Sequence, residues 1–155
     1  MILRPRPLTA DAFAAFGSVA PCPAPGARTE VGPARNLRAT ASACLRWTLV
    51  RPGTLPLRVG TMERHRFSSQ SFIPLAPARW LCQVAPHAAT GGPDMARACA
   101  FIADGTHAIT YAPDVWHHPL TALDGGGGFA VLTFLDGSGD DEEFVAIAAG
   151  ITVEE

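Results

Sequence analysis

Two short stretches of the chain concentrate residues that can hold a metal ion or move a proton. The first contains Glu63, His65 and Gln70, and the second contains His117 followed by His118. Imidazole and carboxylate groups are common general acids and bases, and two imidazoles with a carboxylate suit Zn, Ni, Fe or Mn better than Mg or Ca. Neither stretch contains a thiol, which disfavours a structural zinc site. These residues therefore predict acid–base chemistry, a transition-metal site, or both.

Both stretches have the apolar and aromatic neighbours expected of strands, and a strand points alternate side chains to opposite faces. Glu63 and His65 then share one face, and Arg64 takes the other. By the same rule, His117 and Trp116 face opposite ways. If the polar faces of both strands point into one barrel, they form a cluster rich in nitrogen and oxygen. Burying such groups is costly unless they are paired, so a functional site is the main reason to place them there.

One short helix is predicted near the start of the chain. It spans residues 7–17, with Thr9 as its N-cap and Gly17 as the residue that stops it. Residues 20–44 are rich in Pro, Gly and Ala and show no period, which predicts an irregular segment. The four consecutive carboxylates at 140–143 predict a solvated turn.

Short strands are predicted for most of the remaining chain. Leu45, Trp47 and Leu49 alternate with other residues at the period of a strand, and 15 glycines and 14 prolines supply turns between such strands. No predicted helix is long enough to cross between parallel strands. We therefore predict a mainly all-β, antiparallel barrel or double-sheet sandwich that forms a single domain over residues 1–155.

The composition argues against several classes of protein. All 12 basic residues are Arg, which excludes Schiff-base and pyridoxal phosphate enzymes because these need a lysine. The net charge of −2, without a dense Arg cluster, predicts no nucleic-acid partner. No apolar run reaches the length of a membrane span, and no secretory signal is evident. We expect reduced thiols in a cytoplasmic protein, because no C-x-x-C pair occurs among the cysteines, which are Cys22, Cys44, Cys82 and Cys99.

The two polar stretches resemble the ureidoglycolate lyase family, also known as the ureidoglycolate hydrolase family. The matching motifs are Met62-Glu63-Arg64-His65, continuing through Gln70-Ser71-Phe72-Ile73-Pro74-Leu75, and Val115-Trp116-His117-His118-Pro119-Leu120. Weaker agreement covers most of the chain, and includes Pro7-Leu8-Thr9, Leu55-Pro56-Leu57 and Ala100-Phe101-Ile102.

This resemblance implies a cupin-type fold, which is an antiparallel double-sheet β-barrel, assembled as a homodimer. It implies a lyase that cleaves ureidoglycolate to glyoxylate and urea in allantoin and purine catabolism. It also aligns Glu63, His65 and Gln70 with the first cupin motif and His117 with the second. A divalent transition metal (Ni, Zn, Mn or Fe) would then be held by His65, Gln70 and His117.

Ureidoglycolate is a hemiaminal, so its cleavage requires three things. The hydroxyl group must lose a proton, the developing oxyanion must be stabilised, and the leaving urea nitrogen must gain a proton. Glu63 or His118 would act first as base and then as acid, and the sequence leaves open which of them does so. The residues predicted to bind the substrate and exclude water are Arg64, Phe72, Tyr111 and Trp116.

Two other functions remain open from the sequence. A non-catalytic cupin would bind a small carboxylate or a sugar, and this is favoured by Asp136-Gly137, which stands where the family often has Asp-Arg. A metal-dependent cupin oxygenase would need two histidines and a carboxylate around iron, and Glu63, His65 and His117 can supply that set.

Overall fold

The chain folds into two facing β-sheets. A computed structural model describes residues 1–148 and 150–155. Fourteen strands are formed in this described part, over β1 (Ile2–Leu3), β2 (Arg6–Pro7), β3 (Gly17–Pro21), β4 (Ser42–Val50), β5 (Pro52–Gly53), β6 (Leu57–His65), β7 (Gln70–Pro74), β8 (Trp80–Ala85), β9 (Cys99–Ala103), β10 (His107–Tyr111), β11 (Trp116–His117), β12 (Thr121–Leu123), β13 (Gly127–Leu135) and β14 (Glu142–Val153).

The strand order explains how the sheets enclose a barrel. Sheet A has the order β1-β14-β6-β11-β8-β12-β5, with β9 and β2 branching from β8. Sheet B has the order β3-β10-β7-β13-β4. Most neighbouring strands are antiparallel, although three short outer strands, β1, β2 and β5, pair in parallel. The prediction of a mainly all-β double-sheet fold is confirmed, and the architecture is consistent with a cupin-like barrel.

The predicted helix is present but shorter than expected. Helix α1 spans Ala10–Phe13, and the Thr9 side chain caps it by accepting a hydrogen bond from the backbone N–H of Ala12 at 3.3 Å. A single 3-10 turn follows much later, at Met95–Arg97. Within the described residues, no helix is long and apolar enough to cross a membrane.

Gly17 does not stop the helix but begins β3. It lies opposite Tyr111 of β10, and a Cβ atom at this position would come within 1.9 Å of the carbonyl oxygen of Thr110. The prediction for Gly17 was therefore wrong, because the residue is required by the close approach of two strands. The close approach also fixes Tyr111, whose ring stacks on His117.

The predicted irregular segment is largely confirmed, since residues 22–41 form no strand between β3 and β4. One part of it is nevertheless anchored to the turn between β6 and β7. Asn36 forms a bridge to Ser68, and the backbone N–H of Leu37 donates to the carbonyl of Phe67. This anchor brings the following arginine, Arg38, towards the barrel.

Apolar side chains fill two clusters, one on each face of sheet A. Along β8, Trp80, Cys82 and Val84 belong to the cluster between the sheets, whereas Leu81 and Ala85 belong to the other. The large side chains of the first cluster include Phe13, Phe72, Trp80, Phe101, Ile109, Tyr111 and Phe129. Those of the second include Val59, Met62, Leu81, Trp116 and Ile151.

Strand β4 is confirmed, but its apolar side faces outward. Arg46 pairs with Val131, which lies in the cluster between the sheets, so the residues on either side of Arg46 point away from the barrel. Leu45, Trp47 and Leu49 are accordingly 70%, 78% and 80% exposed. Together with Leu75, which is 50% exposed, we call them the β4 patch.

We expect Gly17→Ala to lower the free energy of unfolding by about 1–3 kcal/mol, because its methyl group would overlap the backbone of β10. Urea denaturation measures this change. Gly139→Ala is the matched control, since a Cβ at Gly139 meets nothing within 4 Å. Equal stabilities of the two variants would contradict this account of Gly17.

Candidate active site

Strands β6 and β11 bring the predicted acid–base and metal-binding residues together inside the barrel. His117 lies directly opposite Glu63 in the strand register, and Glu63 Oε1 is 3.2 Å from His117 Nε2. The ring of His65 stacks near that of His117, with 6.0 Å between centroids. Potential ligand atoms of the three side chains lie within 4.8 Å of one another, and all three residues are buried. The face-sharing predicted from strand alternation is thereby confirmed.

Gln70 reaches the same cluster from the opposite sheet. Its Oε1 lies 3.1 Å from His117 Nε2, so β7 of sheet B and β6 of sheet A both contact one imidazole nitrogen. The other nitrogen of His117, Nδ1, lies 2.9 Å from the carbonyl oxygen of Val115 and must donate to it. Without a proton on Nε2, the lone pair of this nitrogen would be directed at oxygen acceptors. Flipping the side-chain amide of Gln70 would replace its oxygen with the NH2 donor and relieve that contact. The carboxylate of Glu63 would still face the lone pair of His117 Nε2, so a proton or a cation is needed between these two groups.

His65 supplies a second argument for a cation. Both of its ring nitrogens are buried without a hydrogen-bond partner among the residues described. Burial, assisted by the neighbouring His117, lowers the pKa of His65 and keeps its ring neutral near pH 7. Buried polar atoms are rarely left unpaired, and a neutral imidazole is a good metal ligand. The donor set of Glu63, His65 and His117 thus fits a divalent transition metal.

Two of the predicted substrate-binding aromatics form the rear wall of the cluster. The Tyr111 ring stacks on His117 at 4.1 Å between centroids, and Phe72 packs edge-on against Tyr111 at 5.8 Å. Both side chains are buried in the main core. Burial raises the pKa of Tyr111 well above its usual value, so its phenol stays neutral. These rings hold the plane of His117 and exclude water behind it.

The other two predicted substrate-binding residues lie on the opposite face of sheet A. The Arg64 guanidinium stacks over the Trp116 ring at 4.6 Å, and its nitrogens approach carboxylate oxygens of Asp114 and Glu143 at 2.6 Å each. The structure therefore does not bring Arg64 or Trp116 to the cluster. Their arrangement instead clamps the loop before β11 against β6.

His118 is half-buried and near enough to Glu63 and His117 for their charges to act on it. Its Nδ1 is 2.9 Å from the carbonyl oxygen of Pro119 and donates to it, which leaves Nε2 as an acceptor. Burial lowers the pKa of His118, although the Pro119 hydrogen bond and the charge of Glu63 oppose that shift. A neutral imidazole with a free Nε2 lone pair is competent as a general base.

A buried ionic group behind His65 was missed by the sequence analysis. Asp141, predicted to lie in a solvated turn, is only 4% exposed. Its carboxylate accepts hydrogen bonds from the Phe67 backbone at 2.7 Å, the Ser68 hydroxyl at 2.5 Å and the Arg38 guanidinium at 3.0 Å. No local pattern signals this burial, because the countercharge comes from a distant segment.

Comparisons with known proteins agree with this arrangement. A sequence model of the family described as ureidoglycolate lyase matches residues 1–154. A Burkholderia cepacia protein named ureidoglycolate lyase is 38% identical over 145 residues, which cover 84% of this chain and 78% of the relative. Rhizobium meliloti (strain 1021) has a ureidoglycolate lyase 1 that is 39% identical over 149 residues, covering 89% of this chain and 85% of the relative.

A third relative extends the match along the chain. The ureidoglycolate lyase of Rhizobium leguminosarum bv. trifolii (strain WSM2304) is 37% identical over 150 residues, covering 90% of this chain and 88% of the relative. The resemblance that the two polar motifs predicted is confirmed over nearly the full length. From its motifs, its barrel and these matches, the chain belongs to the ureidoglycolate lyase family.

Proposed function

We propose that this chain cleaves ureidoglycolate to glyoxylate and urea, a step of allantoin and purine breakdown. The observation that carries the proposal is the buried cluster of Glu63, His65 and His117, in a chain that the family model matches over residues 1–154. The cluster places acid–base groups and a candidate cation site within a few ångströms. These are the groups that opening a hemiaminal requires.

The reaction breaks the bond between the hemiaminal carbon and a urea nitrogen. The hydroxyl proton leaves, the carbon–oxygen bond becomes the aldehyde of glyoxylate, and the electron pair of the carbon–nitrogen bond passes to urea, which gains a proton. Glu63 and His118 are the residues that fit these proton transfers. Because His118 is neutral, its Nε2 can take the hydroxyl proton and return it to the leaving nitrogen.

Glu63 has a second role available in the same step. Its carboxylate faces His117 Nε2, so it can balance a proton on that ring or act as a ligand, but not both at once. A divalent metal (Zn, Ni, Mn or Fe) held by Glu63, His65 and His117, with Gln70 alongside, would supply Lewis-acid stabilisation of the developing oxyanion. With Glu63 as a ligand, His118 is the residue left to carry the proton.

Removing the central imidazole tests the assignment of the site. His117→Ala is expected to lower kcat/KM by about 100-fold or more, because it removes the group that Glu63 and Gln70 both contact. Release of urea and glyoxylate from purified protein measures turnover. His107→Ala is the matched control, since His107 pairs with Asp104 away from the cluster.

Each outcome separates the proposed lyase from its competitors. Unchanged turnover in His117→Ala would contradict the site, and no urea release from folded wild-type protein would contradict the reaction. Calorimetric binding of a small carboxylate or sugar without turnover would favour a non-catalytic cupin. Because two histidines and a carboxylate also suit iron oxygenases, bound iron with oxygen uptake would favour that class instead.

Metal content gives an independent test of the same cluster. We expect the wild-type protein to bind one divalent transition-metal ion per chain, and a chelator to lower its activity. Glu63→Gln should weaken metal affinity by about 100-fold or more, because it removes a charged ligand. Elemental analysis and titration calorimetry measure both quantities. Glu143→Gln is the control, since that carboxylate binds Arg64 on the other face, and equal affinities of the two variants would contradict the ligand set.

We further propose that the chain assembles as a homodimer through the β4 patch. Its members are contiguous, because a Cβ built on Gly128 would lie 3.4 Å from side-chain atoms of both Trp47 and Leu49 and 3.9 Å from Leu75. Monomers rarely expose large apolar patches of this kind. A two-fold axis would pack the patch of one protomer against that of its partner.

Introducing a charge into the β4 patch tests the dimer. Trp47→Glu is expected to convert the dimer to a monomer, because two buried carboxylates would face each other across the axis. Light scattering coupled to size-exclusion chromatography reports the mass. Ile2→Glu, at an exposed apolar position of sheet A, should leave the dimer intact. A wild-type mass of one chain, or a Trp47→Glu dimer, would contradict the proposal.

The thiols support a cytoplasmic location for this enzyme. All four cysteines are free, and Cys22 is exposed. Free exposed thiols persist in reducing compartments, whereas oxidising ones favour disulfides.

A further inference from the structure

A buried carboxylate lies beside His65. Asp141 Oδ2 is 3.5 Å from Nδ1 of His65, and the side chains of both residues are 6% exposed. This distance is longer than a normal N–H···O hydrogen bond, and Nδ1 has no hydrogen-bond partner in the described part of the chain. The carboxylate is thus the nearest group that can accept a proton held on that nitrogen.

The position of Asp141 is determined by three donors from two separate parts of the chain. The Phe67 backbone and the Ser68 hydroxyl, in the turn after β6, bind its two oxygens. Arg38 supplies the countercharge at 3.0 Å, and Arg38 also binds Asp136 at 3.0 Å and the carbonyl oxygen of Phe134 at 2.8 Å. These contacts hold the Asp141 carboxylate in place beside the His65 ring.

We propose that Asp141 is a positioning residue that fixes the tautomer and orientation of His65. Asp141 accepts the Nδ1–H of His65, and Nε2 then keeps its lone pair for the Glu63 and His117 cluster. An imidazole that binds a cation through one nitrogen normally donates its other N–H to a carboxylate or carbonyl. A small rotation of the ring shortens the 3.5 Å separation once Nε2 has a partner of its own.

This inference rests on the proposed site but not on the identity of the reaction. Tautomer and metal affinity are properties of the protein alone, so they can be measured without ureidoglycolate. Asp136 offers a matched control for the ionic group. It binds the same guanidinium as Asp141, while its other side-chain contacts are with Thr40 and Ser138 rather than with His65.

The test compares Asp141→Asn with Asp136→Asn in the full chain. Asp141→Asn is expected to weaken binding of Zn²⁺ or Ni²⁺ by about 10- to 100-fold and to lower kcat with little change in KM. Asp136→Asn is expected to stay within about threefold of wild type in both metal affinity and kcat, because Asp136 contacts Arg38 and not His65. Circular dichroism and urea denaturation verify that both variants are folded.

Nitrogen NMR of the imidazole rings measures the tautomer of His65, which would not change if Asp141 only stabilised the fold. Wild type and Asp136→Asn should show His65 as the Nδ1–H tautomer, whereas Asp141→Asn should shift it towards Nε2–H. A wild-type Nε2–H tautomer would overturn the proposal even if Asp141→Asn failed to fold. Equal metal affinities of the two folded variants would also overturn it. If the His65 tautomer and the metal affinities are as expected but the wild-type protein does not cleave ureidoglycolate, the proposed function is contradicted instead.

Discussion

The contact between Glu63 and His117 is the interaction on which the rest of the site depends. A carboxylate and an imidazole, both buried and 3.2 Å apart, can be kept inside a barrel only if each has further partners. Gln70 from the opposite sheet and the stacked Tyr111 ring supply them for His117. The two sheets must therefore close in one register, since a slip by one residue would turn these side chains outward.

A second buried ionic group supports the first from behind. Arg38 and Asp141 are joined across 103 residues of sequence, and they tie the irregular segment before β4 to the loop before β14. Charges of this kind are weak evidence for stability, because their desolvation offsets their attraction. The proposed role of Asp141 in orienting His65, whose Nδ1 is 3.5 Å from its carboxylate, gives a reason for burying this group.

Both faces of the sheets carry information about function. On sheet A, the inner face of β6 holds Glu63 and His65. Its outer face holds Arg64 against Trp116 and so braces the loop that leads into β11, the strand of His117. On sheet B, the inner face fills the core, while the outer face of β4 exposes the β4 patch. An arginine adjacent to candidate site residues in the sequence can thus stabilise the scaffold rather than bind the substrate.

The sequence by itself determined what depends on short-range order. Strand alternation placed Glu63 with His65 and apart from Arg64, the Thr9 cap marked the helix start, and the two motifs identified the family, because each of these lies within a few residues. The tertiary structure alone decided that Gly17 separates two strands and that the apolar side of β4 faces outward. It also decided that Asp141 is buried behind His65. These outcomes depend on partners distant in the chain, which no local pattern encodes.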